Sequence, residues 1–366
     1  MSVIFHPLKV VKILKETDDA VSVSLEVPAE LKEAFEYHQG QYLTLRFHLP
    51  EGDTRRAYSM SSAPFEPHPT VTVKRIPNGL VSNHIFTRLK AGDVVDVLPP
   101  QGRFFTPLDA GQRKTYYLFG SGSGITPLAS ILKTILENEP QSVVHLLYGN
   151  RDEDSIIFKD EFARLEAKYA GQLTVDHILS QPKQHKSGGL GGMFKKATTR
   201  WQGKTGRINQ ATITAFLEER ILRTKKAEYF ICGPADMPET TTAVLVAKGV
   251  DKKNIHSEHF LSHPVGDAEA QALSGEAKLK VHLDGKNIET TIKRGMTVLD
   301  RLIELKYDPP YSCTSGACST CIAKLVSGKV KMEACFALDE DEVKDGYILT
   351  CQAHAISEEV EITYKV

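Results

Sequence analysis

The sequence "YSCTSGACSTC", from Tyr311 to Cys321, holds three of the chain's six cysteines. Cys313, Cys318 and Cys321 are separated by four and then two residues, and Cys351 follows alone in "GYILTCQAH". The N-terminal "MSVIFHPLKVVKILKETDD" is too short and too interrupted by lysine to be a signal peptide, so we expect a cytoplasmic protein with reduced thiols. Clustered cysteines in that compartment more often bind metal or do chemistry than form disulfides.

The cysteine spacing predicts an iron–sulfur cluster. C-x4-C-x2-C followed by one distant cysteine is the ligand pattern of plant-type [2Fe–2S] clusters, with Cys313, Cys318, Cys321 and Cys351 as the ligands. The small residues between them let backbone N–H groups approach the negatively charged sulfur atoms. A structural zinc site is the alternative, but such sites usually pair two short cysteine units. Cys335 fits neither spacing and is expected to be a spectator inside the domain.

The flanking residues predict a small α+β domain over residues 278–366. "KLKVHLDGKNIETTIKRG" indicates two strands around an Asp284-Gly285 turn, because Asp-Gly is a strong hairpin signal. "TVLDRLIEL" has the apolar spacing of a short amphipathic helix, and "EEVEITYKV" is typical of a closing strand.

Residues 1–110 predict an antiparallel β-barrel. "AVSVSLEV", "QYLTLRF", "TVTVKRI" and "DVVDVLPP" are short strand-like segments separated by Gly and Pro. Several such strands in succession favour a small barrel. "NGLVSNHI" is expected to open a helix.

Residues 111–262 predict an α/β domain with a parallel sheet, because strand-like and helix-like segments alternate there. "TYYLFG" runs into the Gly-rich "GSGSGITPLASILKTIL", and a strand, a Gly-rich turn and a helix together can cradle a pyrophosphate. A Gly-rich turn is weak evidence alone, and an ordinary loop is the alternative. The polar residues 263–277 are expected to be a linker to the last domain.

Composition argues against two classes of partner. The net charge of −1 over 366 residues provides no basic field for nucleic acid. No apolar run approaches the ~18–20 residues of a membrane span. We therefore expect neither a nucleic acid nor a membrane as partner.

Four motifs together carry a family resemblance. "RAYS" (Arg56–Ser59), "GLVS" (Gly79–Ser82), "GSGSGITP" (Gly120–Pro127) and "CGPADM" (Cys232–Met237) occur in the order and at the intervals of the ferredoxin–NADP⁺ reductase family. Over nearly its whole length, the chain resembles members that carry a C-terminal plant-type ferredoxin domain and feed bacterial oxygenases. The resemblance implies a β-grasp fold for that α+β domain. Many such ferredoxin domains have Arg after the first ligand, where this chain has Thr314. That departure bears on partner docking and not on ligation.

The resemblance implies an FAD site on the barrel. Arg56 would neutralise the flavin pyrophosphate, Tyr58 would stack on the isoalloxazine, and Ser59 would lie near flavin N5. The residues implied at the flavin phosphates are Gly79, Val81 and Ser82. That segment implies FAD, because FMN-using relatives carry a Gly-Arg-Gly-Gly-Ser-like sequence there. Taken alone, Tyr58 would more often be a core residue.

The resemblance also implies a site for NADPH or NADH on the α/β domain. The residues implied to shape it are Gly120, Gly122, Thr126 and Pro127. Cys232 would face the nicotinamide ring at the end of its strand, where Gly233 and Pro234 turn the chain away. Taken alone, Cys232 would more often be a buried strand thiol.

The segment "SEHF" matches the Glu-x-Phe that closes the family's reductase module. It implies that Glu258 lies at the reaction centre and that the ring of Phe260 lies near the flavin. Ser59, Cys232 and Glu258 are the implied catalytic residues.

A basic stretch leaves two interpretations open. Between His177 and Leu217 the chain has seven Lys and Arg residues and no Asp or Glu, and much of residues 183–204 is Gly-rich. This stretch is either a solvated surface loop or an attractor of the NADPH 2′-phosphate or of an acidic partner. Relatives often have Ser-Arg where this chain has Ser180-Gln181, so the preference between NADPH and NADH stays open.

Two further clusters have alternative interpretations. His256, His259 and His263 fit a metal site poorly, because no Cys or carboxylate accompanies them at ligand spacing. The acidic run Asp339–Glu342 is either a docking face or a solvated turn.

Electron counting connects the expected cofactors. NAD(P)H gives two electrons together as hydride, whereas a [2Fe–2S] cluster accepts one electron at a time. FAD is stable at three redox levels and can therefore pass electrons between them. The sequence therefore predicts electron flow from NAD(P)H through FAD and [2Fe–2S] to a protein acceptor, a multicomponent oxygenase or hydroxylase. The alternatives are a free-standing flavin reductase of small acceptors and a redox carrier or sensor. The cluster disfavours the first, and the nicotinamide site disfavours the second.

Overall fold

Six antiparallel strands form the first domain of this computed structural model, which describes residues 4–50, 52–185, 198–224, 226–234, 236–260 and 275–366. The strands are β1 (His6–Thr17), β2 (Ala20–Glu26), β3 (Tyr42–Leu49), β4 (Gly52–Ser59), β5 (Thr70–Lys74) and β6 (Val94–Val97). Their order is β4-β3-β6-β1-β2-β5. A bridge between Met60 and Val71 joins the two edges and closes the sheet, so the predicted barrel is confirmed.

Alternation along the barrel strands places the core. Val21, Val23 and Leu25 in β2 are buried inside the barrel, as their period of two predicts. Strand β3 pairs with β4 so that Tyr42 lies opposite Ser59. Helix α1 (Leu80–Thr87) begins directly after Gly79. The motifs "RAYS" and "GLVS" are thus held by a strand pair and a helix start of one domain.

The second domain is a parallel sheet with helices on both faces. Its strands are β7 (Thr115–Ser121), β8 (Val143–Asn150), β9 (Leu173–Leu179), β10 (Gln184–His185), β11 (Thr198–Thr199), β12 (Lys204–Thr205), β13 (Ala227–Gly233) and β14 (Ile255–His259). The main sheet has the order β12-β9-β8-β7-β13-β14, and β10 pairs with β11. The helices are α2 (Ile125–Asn138), α3 (Lys159–Lys168), α4 (Gln210–Glu219) and α5 (Met237–Ala247).

Two apolar layers hold this sheet. Residues of α2 and α3, such as Leu128 and Phe162, contribute to one core, and residues of α4 and α5, such as Phe216 and Leu245, contribute to the other. The predicted α/β domain is therefore confirmed, with the carboxyl ends of its parallel strands along one edge.

The third domain has a mixed sheet and two short helices. Its elements are β15 (Glu276–Leu283), β16 (Lys286–Lys293), α6 (Val298–Glu304), β17 (Ile322–Ser327), β18 (Val330–Met332), α7 (Glu340–Lys344), β19 (Tyr347–Leu349), β20 (Ala353–Ala355) and β21 (Glu359–Thr363). The sheet order is β16-β15-β21-β17-β19, with β15 and β21 parallel, and β18 pairs with β20. Val298 and Leu302 of α6 pack onto this sheet, which is the expected β-grasp arrangement.

The hairpin of this domain forms where the sequence predicts it. Leu283 pairs with Lys286, which leaves a two-residue turn. Asp284 and Gly285 both have left-handed backbone, with φ of 48° and 74°, as the tightest hairpin turn requires. In the described part of the chain, no helix is long and apolar enough to cross a membrane.

Candidate functional site

The four predicted ligand cysteines converge. The thiol of Cys313 is within hydrogen-bonding contact of Cys318 and Cys351, and that of Cys351 also contacts Cys321. Because its neighbours donate hydrogen bonds to the sulfur of Cys313, the pKa of this thiol lies well below its usual value. Cys318, Cys321 and Cys351 are buried. Four sulfur atoms connected by these contacts fit the donor set of one [2Fe–2S] cluster.

Local backbone geometry shapes the ligand loop (residues 311–321). Gly316 has φ of 72°, and a Cβ there would lie 2.6 Å from the carbonyl oxygen of Ala334, so only glycine fits. The carbonyl of Gly316 accepts hydrogen bonds from the amides of Phe336 (3.0 Å) and Ala337 (3.1 Å). The amide of Ser315 points at Cys313 Sγ, 3.4 Å away. An inward amide of this kind stabilises a thiolate.

Other metal sites receive no support. No three His, Cys, Asp or Glu side chains of the described residues are grouped as ligands of a single ion. A two-iron cluster divides its four ligands between two irons and does not need that grouping. His256 and His259 lie three residues apart on β14, hence on opposite faces, and their rings stack on Phe230 (4.5 Å) and Phe336 (4.4 Å). His263 lies outside the described residues.

The predicted spectator cysteine lies close to the ligands. Cys335 is partly buried and packs against the apolar cluster that contains Cys321 and Cys351. It has an ordinary packing environment and gives a matched control for the ligand cysteines.

The predicted flavin residues of β4 are placed side by side. Arg56 donates a hydrogen bond to the carbonyl of Arg55 (2.7 Å) and has no carboxylate partner among the residues that the structure describes. Its charge is therefore free to bind a phosphate. Tyr58 is half-buried against the barrel core, so its ring also has the packing role that the alternative interpretation assigned to it.

The start of α1 presents backbone N–H groups. The first helical bond runs from the amide of Asn83 to the carbonyl of Gly79 (3.1 Å), and the side chain of Asn83 donates to the same carbonyl (2.6 Å). The amides before Asn83 have no helical partner and form the positive end of the helix, which suits a phosphate. The side chains of Val81 and Ser82 are buried, and Ser82 Oγ accepts from the amide of Ile76. These two residues can therefore contribute their backbone amides.

Three predicted residues align at the carboxyl edge of the parallel sheet. Gly120 in β7 lies opposite Cys232 in β13, and Cys232 lies opposite Glu258 in β14. Ligands of open α/β sheets bind at this edge. Burial and the neighbouring Glu258 raise the pKa of Cys232 well above its usual value, so this thiol is neutral. Burial also raises the pKa of Glu258 to about 8, and the charge of Cys313 adds to the effect.

The Gly-rich turn packs tightly against the end of β13. Gly122 has φ of 54°. A Cβ on Gly124 would lie 2.2 Å from the carbonyl oxygen of Cys232. Thr126 Oγ1 donates to the carbonyl of Ser123 (3.1 Å) and fixes the first turn of α2. Gly124 is absent from the predicted site residues, although it is the third glycine of "GSGSG" and could have been found.

The remaining predicted residues close this edge. Pro127 is buried in the first turn of α2, whereas Pro234 is exposed after β13. The amide of Phe260 donates to the carbonyl of Gly233 (3.1 Å). The ring of Phe260 packs against the core that joins the barrel to the parallel sheet.

The three sets of residues meet at one junction. Ser59 Oγ donates to Glu258 Oε2 (3.3 Å), which links the barrel to the parallel sheet. The hydroxyl of Tyr42, opposite Ser59 on β3, lies 2.9 Å from that of Thr320 in the ligand loop. The sequence did not predict this contact, because Tyr42 lies in a strand segment that carries no site motif and Thr320 lies in the cysteine motif without being a ligand. The implied flavin, nicotinamide and cluster residues are thus neighbours in space.

Comparisons with known proteins agree with this arrangement. Residues 7–105 match the oxidoreductase FAD-binding domain, residues 118–243 the oxidoreductase NAD-binding domain, and residues 281–355 the 2Fe-2S iron-sulfur cluster binding domain. The ferredoxin reductase component of 3-ketosteroid-9-alpha-monooxygenase from Rhodococcus rhodochrous is 36% identical, over 98% of this chain and 96% of its own. A component of the 1,2-phenylacetyl-CoA epoxidase from Escherichia coli is 32% identical over 98% of both chains.

This chain belongs to the family of oxygenase ferredoxin reductases. The predicted resemblance to ferredoxin–NADP⁺ reductases with a C-terminal ferredoxin domain is confirmed, and so are the FAD, NAD(P)H and [2Fe–2S] cofactors. The solved structure of phthalate dioxygenase reductase matches over 98% of both chains at a TM-score of 0.60 and 23% identity, which shows the shared fold. The protein is thus an NAD(P)H-dependent iron–sulfur flavoprotein oxidoreductase.

Two arginines of the reductase's barrel bind its ferredoxin domain. Arg55 is almost fully buried, pairs with Asp308 and lies with its guanidinium 4.3 Å from the ring centroid of Tyr311. Arg103 pairs with Glu342 (2.7 Å) and donates to the carbonyl of Ala337 (3.1 Å). Opposite charges and a cation–π contact therefore hold the two domains together.

The acidic run of the reductase begins a short helix, and most of its carboxylates are exposed to solvent. Asp339 caps α7 by accepting from the amide of Glu342 (2.8 Å), and the carboxylate of Glu342 accepts in return from the amide of Asp339 (3.0 Å). At least one of these carboxylates is used inside the chain, because Glu342 binds Arg103.

Part of the predicted basic stretch is neutralised. Lys183 pairs with Asp154, and Lys204 pairs with Glu219 at 2.5 Å. Residues 186–197 lie outside the described part of the chain.

Proposed function

We propose that this reductase delivers electrons from NAD(P)H, through FAD and [2Fe–2S], to a separate oxygenase or hydroxylase component. The names of its relatives, which serve a steroid monooxygenase and phenylacetyl-CoA epoxidase, support an acceptor of that class. The observation that carries the proposal is the junction where Ser59 contacts Glu258 and Tyr42 contacts Thr320. A chain that only reduced small molecules would not need its ligand loop against the flavin-binding strands.

The residues of this chain would bind and orient the cofactors. Arg56 and the first amides of α1 hold the flavin phosphates, and the Gly120–Pro127 turn holds the nicotinamide dinucleotide. FAD, when bound, accepts the two electrons of a hydride together and releases them one at a time. Cys232 and Glu258 border the nicotinamide ring. Because both are neutral at pH 7, they place no negative charge beside the arriving hydride.

Ser59 and Phe260 complete the proposed reaction centre. The hydroxyl of Ser59 orients the carboxyl of Glu258. The ring of Phe260, which packs against the apolar core beside this edge, would cover the second face of the flavin. Tyr58 supplies the stacking ring on the first face. Cys313, Cys318, Cys321 and Cys351 are the proposed iron ligands.

Three finer points belong to the proposal. A cytoplasmic location agrees with reduced cluster ligands. The domain borders at residues 110 and 262, with a linker at 263–277, stay predictions. The preference between NADPH and NADH also stays a prediction, because Lys183 and Lys204 are already paired and Gln181 stands where relatives often carry Arg.

The test separates the flavin from the cluster in the full-length chain. Ferricyanide takes electrons from flavin directly, whereas reduction of a protein such as cytochrome c normally proceeds from the cluster. We expect Cys351→Ser to keep NADPH–ferricyanide activity and to lose most cytochrome c reduction. Cys335→Ser, the matched control, should keep both activities. Equal cytochrome c rates in all three proteins would instead favour a flavin reductase of small acceptors.

A further inference from the structure

Two hydroxyl pairs join strand β3 of the barrel to the ligand loop. The hydroxyl of Tyr42 lies 2.9 Å from that of Thr320, and Thr44 Oγ1 donates to Ser312 Oγ at 2.9 Å. All four side chains are buried, although the partners are 278 and 268 residues apart in the chain. The two domains thus meet here through paired hydroxyl groups.

Each pair ends beside a cluster ligand. Ser312 directly precedes Cys313, and Thr320 directly precedes Cys321. Thr320 Oγ1 also lies 3.5 Å from Cys318 Sγ. The pairs therefore fix both ends of the segment that carries three of the four predicted ligands.

On the barrel side, the same strand pair carries the flavin motif. Tyr42 lies opposite Ser59, and Thr44 lies opposite Ala57, so the two hydroxyl residues flank the position paired with Tyr58. One strand of this ladder presents the implied flavin residues, and its neighbour holds the ligand loop. Any displacement of the loop relative to β3 is a displacement relative to the flavin site.

The hydrogen bonds around Thr320 have a defined direction. Thr320 Oγ1 donates to Gln101 Oε1 (3.0 Å), which leaves the hydroxyl of Tyr42 as the donor to Thr320. Gln101 is itself fixed to Tyr42 by two backbone hydrogen bonds of 2.8 and 3.0 Å. Thr320 is therefore held by two barrel residues that are rigidly joined.

Packing alone does not require these hydroxyls. A buried hydroxyl costs free energy unless it is paired, so apolar side chains could fill the same space without that cost. Hydroxyl pairs, in contrast, form their hydrogen bonds in only one alignment of the two domains. Any other alignment leaves the buried hydroxyls unpaired, which costs free energy. The presence of hydroxyls here therefore indicates that the contact fixes the relative position of the two domains and does more than add stability.

We propose that Tyr42–Thr320 and Thr44–Ser312 are positioning contacts that hold the cluster at the flavin and set the rate of electron transfer between them. This inference rests on the proposed function, and it adds the contacts that align the flavin with the cluster. Each transfer moves one electron from flavin to cluster, and one hydride from NAD(P)H supplies two transfers.

The test uses full-length holoprotein with Tyr42→Phe, Thr320→Val, their double variant and the conservative Thr320→Ser. Hydrogen–deuterium exchange of the peptides that cover residues 308–325 measures opening of the contact. We expect Tyr42→Phe to raise exchange about 2- to 10-fold, the factor that corresponds to one hydrogen bond. Thr320→Val should raise exchange at least as much, because it also removes the hydrogen bond to Gln101. The double variant should resemble Thr320→Val, because both changes remove the same bond. Thr320→Ser keeps the hydroxyl and should exchange at the rate of the parent.

Anaerobic stopped-flow mixing with NADPH supplies the functional measurement. Cluster reduction should slow by a similar factor in the two single variants, while the preceding flavin reduction keeps its rate. Thr72→Val is the matched control, since it removes a buried hydroxyl that pairs with Ser22 (2.8 Å) inside the barrel. It should change neither the exchange of residues 308–325 nor cluster reduction.

Two outcomes would overturn the inference. In the first, Thr320→Val shifts the cluster's reduction potential but leaves exchange unchanged, and Thr320 then tunes Cys318 without positioning the loop. In the second, Tyr42→Phe alters neither exchange nor cluster reduction. A parent protein whose cluster is reduced by neither NADPH nor NADH would instead contradict the proposed function, and exchange would still report whether the contact holds the loop.

Discussion

Ser59 Oγ lies 3.3 Å from Glu258 Oε2, across the boundary between the barrel and the parallel-sheet domain. Glu258 in turn lies opposite Cys232, at the edge where a nucleotide would bind. The pKa of Glu258 is raised to about 8 because the carboxyl is withdrawn from water, so it holds its proton at neutral pH. One neutral carboxyl thus connects the flavin motif to the nicotinamide edge.

Replacing the fourth ligand should remove the cluster. The parent protein should contain about two iron atoms and two acid-labile sulfides per chain, and Cys351→Ser should lose both while keeping FAD. Cys335→Ser should keep the full content, because Cys335 contacts the ligand region only through packing. Iron and sulfide assays with flavin absorbance measure the result. Tightly bound zinc without sulfide would contradict the assignment.

Removing the cation of the flavin motif should weaken FAD binding. Arg56 has no carboxylate partner in the described chain, so its charge is available to a phosphate. We expect Arg56→Ala to cost about 1.5–3 kcal/mol of FAD affinity, the range for a charged hydrogen bond. Fluorescence titration of the apoprotein measures it. Arg46→Ala should leave affinity unchanged, because Arg46 pairs with Asp96 at 2.7 Å. FMN as the released cofactor would refute the assignment of Gly79–Ser82.

Adding one methyl group to the Gly-rich turn should damage the nucleotide edge. A Cβ on Gly124 would lie 2.2 Å from the Cys232 carbonyl oxygen, so α2 or the end of β13 must move. We expect Gly124→Ala to cost about 1–3 kcal/mol of stability, as overpacking does, and to raise the KM for NADPH. Gly111→Ala is the control, because the nearest atom is 3.4 Å away. Equal thermal midpoints and KM values for the two variants would be inconsistent with this close approach.

The buried histidine of β8 should make the free energy of unfolding decrease as the pH is lowered. Burial, aided by the charges of Arg220 and Arg223, lowers the pKa of His145 to about 4. Between pH 6.5 and 4 the unfolded chain therefore binds a proton that the folded chain does not, and stability falls as pH falls through that window. At pH 5 this linkage is worth about 2 kcal/mol.

The variant His145→Asn tests that linkage. Asparagine can keep the hydrogen bond to Thr174 Oγ1, which is 2.7 Å from the ring, but it does not titrate. Its thermal midpoint should fall less than that of the parent between pH 6.5 and 5. His48→Asn removes an exposed histidine whose pKa is raised by its hydrogen bonds to Asp53 and Asp96, so its midpoint should fall at least as much as that of the parent. A parent-like slope in His145→Asn would exclude His145 as the cause.

Local features could be predicted from the sequence because their signals are local. Asp284-Gly285 forms a tight hairpin wherever strands flank it, and the cysteine spacing brings four thiols together through one loop and one later strand end. Gly124 carries the same kind of local signal, since it is the third glycine of the motif that holds Gly120 and Gly122. The backbone of the ligand loop also follows local rules, since Gly316 needs a left-handed conformation.

The contacts between domains could not be predicted in the same way. Tyr42 and Thr320 are 278 residues apart, and their pairing depends on the shapes of two folded surfaces. The acidic run Asp339–Glu342 has the composition of a solvated surface, yet Glu342 binds Arg103 of the barrel domain. No periodicity or spacing records which surface charge meets a partner in another domain.

The attachment of the ligand loop to β3 has a kinetic consequence. Because both belong to one polypeptide, their encounter has a fixed effective concentration that dilution does not change. Passage of an electron within the chain is therefore first order, whereas its delivery to another protein is second order. The cluster can therefore be reduced at a rate that does not depend on protein concentration, whereas the rate of its oxidation by the acceptor depends on the concentration of that acceptor.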